Sequence, residues 1–306
     1  MRCGTMGVAI LSGTLESLQS TKPSGEPAPS KWETHTPGTT TPRGDDATSL
    51  LPSRFLACVN REERIRALQK TFLSLGPLGS LVEVSAGKNV EAVQQADVIL
   101  LCCKPQHARI ILNESGMPEA LEGKLLISIL AGVTITQLKS FVNPTTRVVR
   151  AMPNTPCKIR EGMTVVSTIP SSLEASRDQA IIFTIFSSIG RCTFLDEKHF
   201  DACTALSGSG PAFVCVFLEA MVDGGVMMGL PRAEALELAA QSLQGAARMA
   251  LQPGAHPAQI KDAVTTPGGC TIAGLLTLED GRVRSTIART IQAATERASQ
   301  LGQSMN

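Results

Sequence analysis

The chain has no tyrosine and one tryptophan, Trp32, and its aromatic content is 3% over 306 residues. Single-stranded nucleic acid is usually held on stacked rings, so a platform of that kind is excluded. A formal net charge of +1 gives no electrostatic pull toward nucleic acid or an anionic membrane. Histidine is scarce at four residues and no Cys-x-x-Cys pair occurs, so neither a zinc site nor a redox dithiol is indicated. The nine cysteines are scattered and read as small buried apolar groups in a reducing compartment. No apolar run reads as a bilayer span, and Met1–Gly4 is not followed by the long apolar stretch of a secretory signal. The expected location is therefore cytoplasmic, with no metal and with neither nucleic acid nor membrane as a partner.

What is present is a 43% hydrophobic chain, enough to fill one large or two ordinary cores. Residues 20–53 differ in kind: 21 of these 34 residues are Ser, Thr, Pro or Gly. Such a segment buries too little apolar surface to offset its ordering entropy, so a disordered insertion is expected there, with Trp32 as a lone loop aromatic. After it, apolar runs at 55–59, 81–84, 96–103, 125–130, 146–152 and 163–168 alternate with short helical patterns. Continuous apolar strands separated by helices predict a parallel sheet covered on both faces. Past Pro170 the pattern turns helical, at 172–189, 198–228, 231–252, 272–280 and 282–302, with Ala233, Leu236, Ala240, Leu243 and Ala247 forming a small-residue face. The predicted fold class is α/β: a Rossmann-like parallel-sheet domain over 1–168, carrying the 20–53 insertion, followed by an all-helical domain over 169–306.

Ligands of an open parallel sheet bind beyond the carboxyl ends of its strands. Gly4-Thr5-Met6-Gly7 matches the second half of a dinucleotide fingerprint, with Arg2 where the first glycine belongs and no apolar strand ahead of it. The first strand is therefore expected to be missing, as in an N-terminally truncated chain. Asn60-Arg61, Lys104-Pro105-Gln106 and Ala131-Gly132-Val133 are the other turns expected on the same edge. A dinucleotide site places its ribose-reading residue about 20 residues after the glycines, and removing 20–53 restores that spacing. Asn60-Arg61, with Arg64 one turn on, puts guanidinium groups where NAD sites carry an acid, which favours a 2′-phosphate and hence NADPH over NADH.

Near the end of the chain, Thr266-Pro267-Gly268-Gly269 reads as a turn, with Thr271 capping a helix that starts at Ile272. Glycines let the backbone approach a ligand, and a helix start presents unpaired N–H groups, so a small carboxylate or phosphate is suited to this place.

Several longer motifs together resemble the Δ1-pyrroline-5-carboxylate reductase family. They are Leu206-Ser-Gly-Ser-Gly-Pro-Ala-Phe213, Asp223-Gly-Gly-Val-Met-Met-Gly-Leu-Pro231, Arg150-Ala-Met-Pro-Asn-Thr-Pro156, Cys103-Lys-Pro105 and the run from His256 through Leu275. The resemblance covers about residues 3–302 apart from the insertion. It implies NAD(P)H-dependent reduction of L-1-pyrroline-5-carboxylate to L-proline, the last step of proline biosynthesis, by a homodimer or a higher homo-oligomer. It also implies a substrate site at Val264, Thr266, Gly268, Gly269 and Thr271. The carboxylate would rest on amides around Gly268 and Gly269, and Thr271 would bond the imine nitrogen as the catalytic residue. Gly4, Thr5, Met6, Asn60, Arg61, Asn89, Cys103, Lys104, Pro105, Ala131, Gly132 and Asn154 are the implied cofactor positions. An iminium is already electrophilic, so no strong general acid is required and positioning supplies most of the catalysis. His256 reads as a helix-start hydrogen-bonder, and nothing near Cys270 would make it a nucleophile.

Two other functions remain open on the sequence. A catalytically impaired relative would act as a dimeric scaffold or a metabolite-binding protein. A β-hydroxyacid dehydrogenase would need a catalytic lysine in the helical half, which holds only Lys198 and Lys261.

Overall fold

The computed structural model describes residues 4–20, 52–170 and 173–303. Arg2, Trp32 and most of the expected insertion lie outside them. Among the described residues seven strands are formed: β1 (Phe55–Val59), β2 (Val82–Ala86), β3 (Val98–Leu101), β4 (Leu125–Ser128), β5 (Arg147–Met152), β6 (Gly162–Ser167) and β7 (Gly190–Leu195). The helices are α1 (Thr5–Ser20), α2 (Glu63–Leu73), α3 (Asn89–Gln94), α4 (Ala108–Leu112), α5 (Met117–Ala120), α6 (Ile135–Lys139) and α7 (Leu173–Ser187). They continue with α8 (Phe200–Cys203), α9 (Gly210–Met227), α10 (Arg232–Ala250), α11 (Pro257–Val264), α12 (Cys270–Asp280) and α13 (Val283–Gln303).

By contact the chain forms two compact units, one holding the described residues through Gly208 together with the end of α13 from Ala294, and the other running from Ser209 to Ala293. The boundary expected at 168/169 thus falls later. The reason is that α7 and β7 join the sheet: β7 pairs along all of β6, from Gly162↔Gly190 to Ser167↔Leu195. β7 escaped the sequence reading because its run, Gly190-Arg191-Cys192-Thr193-Phe194-Leu195, is not continuously apolar and lies between two helical patterns. Its first residue has to be glycine. Gly190 has φ +141°, and a Cβ there would lie 2.1 Å from the Gly162 carbonyl oxygen.

The sheet unit has the Rossmann-like parallel arrangement expected, divided in two where the first strand was expected to be missing, and with one antiparallel pair. β1 and β2 form one parallel pair, and β3-β4-β5-β6-β7 form a separate five-stranded sheet. β3, β4 and β5 are mutually parallel, whereas β6 runs antiparallel to β5 through Ala151↔Val166 and Met152↔Val165. Antiparallel neighbours need no helical crossover, and β5 returns as β6 through one short 3-10 turn, Thr155–Ile159. β4 is wholly buried because both of its faces are covered. Leu126 joins one core with Leu101, Leu112, Leu121 and Leu138, while Leu125 and Ile127 join the other with Ile10, Ile182 and Phe186. A third core sets Leu15 of α1 against Phe55, Leu68 and Phe72.

In the helical unit, α9 and α10 pack through Val222, Ala235 and Ala239. This differs from the expected small-residue face: Ala233, Leu236 and Ala247 are exposed in the single chain. The continuous helical stretch Glu197–Met227 is the most apolar among the described residues, though Glu197, Lys198, Asp201, Glu219 and Asp223 interrupt it. It spans 31 residues, and an 18-residue window within it has a mean hydropathy of 1.6 with 11% of that window buried. Length and composition alone do not separate a membrane span from an apolar face covered by another chain.

Candidate active site

The residues expected to hold the cofactor belong to the sheet unit and follow its strands. Gly4 accepts the first helical bond of α1, from Val8 N–H at 2.9 Å, and stands beside the Cys102 carbonyl that follows β3. Thr5 is exposed and Met6 half-buried against the second core. Asn60 and Arg61 follow β1 and are exposed, as is Arg64. Neither Arg61 nor Arg64 makes an ion pair or side-chain hydrogen bond among the described residues, so both guanidinium groups are available to an anion. Lys104 follows β3, also exposed and without an ion pair among the described residues, between buried Cys103 and half-buried Pro105. Half-buried Ala131 and buried Gly132 follow β4.

Two of the expected positions have side chains engaged by the protein itself. Asn89, opening α3, donates its amide to both Glu114 carboxylate oxygens at 3.0 and 3.1 Å. Asn154 accepts from Met163 N–H at 2.9 Å and donates to the Ser207 carbonyl at 3.1 Å. It thereby ties the turn after β5 to the start of β6 and to the Ser207 segment.

Behind these turns lies a cluster the sequence reading did not single out. Arg150 on β5 is 3% exposed, donates to Glu197 at 2.8 Å and stands 4.7 Å over the Phe200 ring. Glu197 also accepts from Ile135 N–H at 2.8 Å, at the start of α6. One carboxylate therefore holds β5, α6 and the segment after β7 in register. The signal was available in the sequence: an arginine inside Val148-Val149-Arg150-Ala151-Met152 needs a buried partner.

The residues expected to hold the substrate all lie in the helical unit, between α11 and α12. His256 caps α11, its Nδ1 accepting from Ala258 N–H at 3.2 Å, as expected of a helix-start hydrogen-bonder. Thr265 Oγ1 donates to the Lys261 carbonyl at 2.8 Å, which closes the end of α11. Gly268 then turns the chain at φ +67°, a region that favours glycine. Two details differ from expectation. α12 begins at Cys270 with Gly269 as its N-cap, so Thr271 sits inside the first turn and does not cap it. Gly269 N–H bonds the Thr266 carbonyl at 3.1 Å, so it is spent in the turn. The donors left facing outward are the first amides of α12, at Cys270, Thr271 and Ile272, which have no preceding carbonyl to bond. Val264, Thr266 and Gly268 are exposed, and Gly269 and Thr271 half-buried.

Cys58, Cys103, Cys157 and Cys192 are buried, as expected of apolar fillers, whereas Cys215 and Cys270 are exposed. Burial pushes the Cys192 thiol up to about 12 and also raises Cys157. Among the described residues no cluster of His, Cys, Asp or Glu is arranged to hold a metal.

Comparison with known proteins decides what this arrangement belongs to. A family described as pyrroline-5-carboxylate reductase dimerisation matches residues 197–301, and one described as NADP oxidoreductase, coenzyme F420-dependent, matches 44–132. A pyrroline-5-carboxylate reductase of Lophium arboricola is 48% identical over 310 residues, covering 98% of this chain and 91% of the relative. The chain belongs to the pyrroline-5-carboxylate reductase family. Within that family, the enzyme of Schizosaccharomyces pombe is 46% identical, covering 98% of this chain and 97% of its own. The family fold is shared by a solved Plasmodium falciparum pyrroline carboxylate reductase with NADP bound, which is 26% identical with a TM-score of 0.72, covering 98% of this chain and 96% of that one.

Proposed function

We propose that the protein is an NAD(P)H-dependent oxidoreductase acting on a C=N bond, reducing L-1-pyrroline-5-carboxylate to L-proline. The observation that carries the geometric side is the opening of α12. A glycine turn there leads into amides with no internal acceptor, beside two threonine hydroxyls, and so offers a site for one small carboxylate.

The cofactor residues fit a phosphorylated dinucleotide. Gly4 brings backbone to the head of α1 without a side chain, and Arg61 and Arg64 are free guanidinium groups where a 2′-phosphate would lie. NADPH is the preferred cofactor on this reading, with NADH the alternative. Bound NAD(P)H supplies the hydride for the imine carbon. The chain's own residues bind, orient and exclude water. Gly4, Thr5, Met6, Cys103, Lys104, Pro105, Ala131 and Gly132 line the cofactor edge, and Asn60 joins Arg61 at the ribose end. Asn89 and Asn154 act by fixing the turns they brace. On the substrate side, the first amides of α12 with Thr266 and Thr271 take the carboxylate, Thr271 Oγ1 bonds the ring nitrogen, and Val264 shields the ring. Gly268 and Gly269 set the turn.

A small-molecule substrate, assembly as a homodimer or larger homo-oligomer and a cytoplasmic location complete the reading. The experiment is NADPH oxidation by the purified chain with Δ1-pyrroline-5-carboxylate, with NADH run beside it. Proline formed in step with NADPH consumed is the expected result. A folded chain that binds NADPH and forms no proline would instead support the impaired relative acting as a scaffold or metabolite-binding protein.

A further inference from the structure

The turn that follows β4 is held by more than its own residues. Leu130 and Val133 are buried in the first core, while Ala131 packs against Phe200 with Met152 and Val165. The bonds inside the turn are local: Thr134 N–H donates to Gln137 Oε1 at 2.9 Å, and Gln137 N–H donates to Thr134 Oγ1 at 3.2 Å. They leave the Ile135 amide, the first of α6, without an intrahelical acceptor. That amide donates to Glu197 Oε1 at 2.8 Å, across 62 positions of sequence. The same oxygen accepts from Arg150 Nη1 at 2.8 Å. Asp196 places Glu197 by capping the 3-10 turn Glu197–His199, where it accepts from Lys198 N–H at 3.0 Å. Arg150 Nη2 is buried and makes no hydrogen bond among the described residues. A pair that served stability alone would not leave a buried guanidinium donor unsatisfied, so the arrangement calls for another reason.

We propose that Glu197 is a positioning residue for the cofactor: its carboxylate, held by Arg150, fixes where the Ala131–Gly132 turn stands on the cofactor edge. This rests on the reading of that turn as a cofactor turn. Glu197 and Phe200 belong to one short segment and reach the two ends of the same turn, Ile135 by a hydrogen bond and Ala131 by packing. Gly132 between them stands at φ +76°, so the shape of the turn is set locally and its place by these contacts and the core beneath. Arg150 lies 4.7 Å over the Phe200 ring as well as on Glu197, so one guanidinium ties both contacts to β5. Binding groups are effective only when supporting residues hold them close to the productive geometry. Glu197 itself touches neither cofactor nor substrate on this reading and acts through the Ile135 amide.

The test compares NADPH dissociation constants, by fluorescence titration, for the full chain, Glu197→Ala, Glu197→Gln and the double variant Glu197→Ala/Arg150→Met. Urea denaturation is run on each. The carbonyl oxygen of glutamine can accept both bonds, and alanine can accept neither. Glu197→Ala should weaken NADPH binding about five- to tenfold, the range of one net hydrogen bond. NADH should weaken by the same factor, because Arg61 is untouched. Glu197→Gln should stay within about twofold of the parent chain. The double variant separates positioning from stability: it should regain stability yet bind NADPH as weakly as Glu197→Ala, since Ile135 N–H still lacks its acceptor. Affinity that returns together with stability would overturn the proposal. So would unchanged affinity in Glu197→Ala, or a glutamine variant as weak as the alanine one. A parent chain that binds NADPH and forms no proline would defeat the reductase reading alone, whereas one that binds no NADPH would defeat the cofactor reading and this proposal together.

Discussion

Arg61 and Glu197 show two ways in which a charged side chain serves a site. Arg61 is exposed with no ion pair or side-chain hydrogen bond among the described residues, so its charge is open to a ligand. A charge-assisted hydrogen bond contributes about 1.5–3 kcal/mol, equivalent to roughly ten- to a hundredfold in affinity. Arg61→Ala should weaken NADPH binding by that factor and leave NADH nearly unchanged, measured as the two dissociation constants by fluorescence titration. An equal loss for both cofactors would remove Arg61 from the 2′-phosphate. Glu197 acts within the protein: its carboxylate pairs with an arginine that is 3% exposed. Glu197 is itself 30% exposed, so removing it strands the buried Arg150 at a cost of about 1–3 kcal/mol, less than for a fully buried pair. Glu197→Ala should lose about that much in urea denaturation, and Arg150→Met added to it should recover most of the loss. A double variant no better than the single would show that the damage is not the stranded charge.

At the scale of elements, the turn between α11 and α12 depends on one backbone conformation. Gly268 stands at φ +67° with open space around a would-be Cβ, so a substitution there meets backbone strain and no clash. An L-residue in this region costs about 1–2 kcal/mol, and asparagine tolerates it better than alanine. Gly268→Ala should raise the substrate KM several-fold with the NADPH dissociation constant unchanged, and Gly268→Asn should raise it less. Steady-state kinetics on the three proteins would check this ordering, and an alanine variant equal to the parent would show that the conformation is not needed. This turn was legible in the sequence because Thr-Pro-Gly-Gly punctuates two helical patterns. The exact helix start was not, since Gly269 and Thr271 can both precede a helix and only the hydrogen bond from Gly269 to Thr266 decides between them. The other six strands were legible by their apolar runs. β7 was not, because its run is not continuously apolar. Nor was the direction of β6, which is set by the length and geometry of its connector and not by its own residues. The Arg150 cluster joins residues about fifty positions apart, a pairing that composition and periodicity do not encode.

For the whole molecule, the unresolved balance is apolar surface. On α9, Val214, Val216, Phe217, Met221 and Met227 are exposed, and on α12 Leu276 and Leu278 are too, Met227 at 80%. Exposed area on this scale marks an interaction surface in a soluble protein, and these residues lie within the 197–301 match to the reductase dimerisation family. Burying a large apolar side chain contributes about 1.5–3 kcal/mol, so several together can hold two chains at submicromolar concentration. A charge placed among them reverses the sign, because an unpaired carboxylate would have to lose its water. Phe217→Glu, at a position 39% exposed in the single chain, should therefore shift the protein toward monomer by size exclusion with light scattering. Its circular dichroism should change little, since Val222, Ala235 and Ala239 still pack α9 on α10 within one chain. Proline formation should fall together with the oligomer if assembly completes the working enzyme. A variant that stays assembled would place the interface on another face of the helices, and a fully active monomer would separate assembly from catalysis.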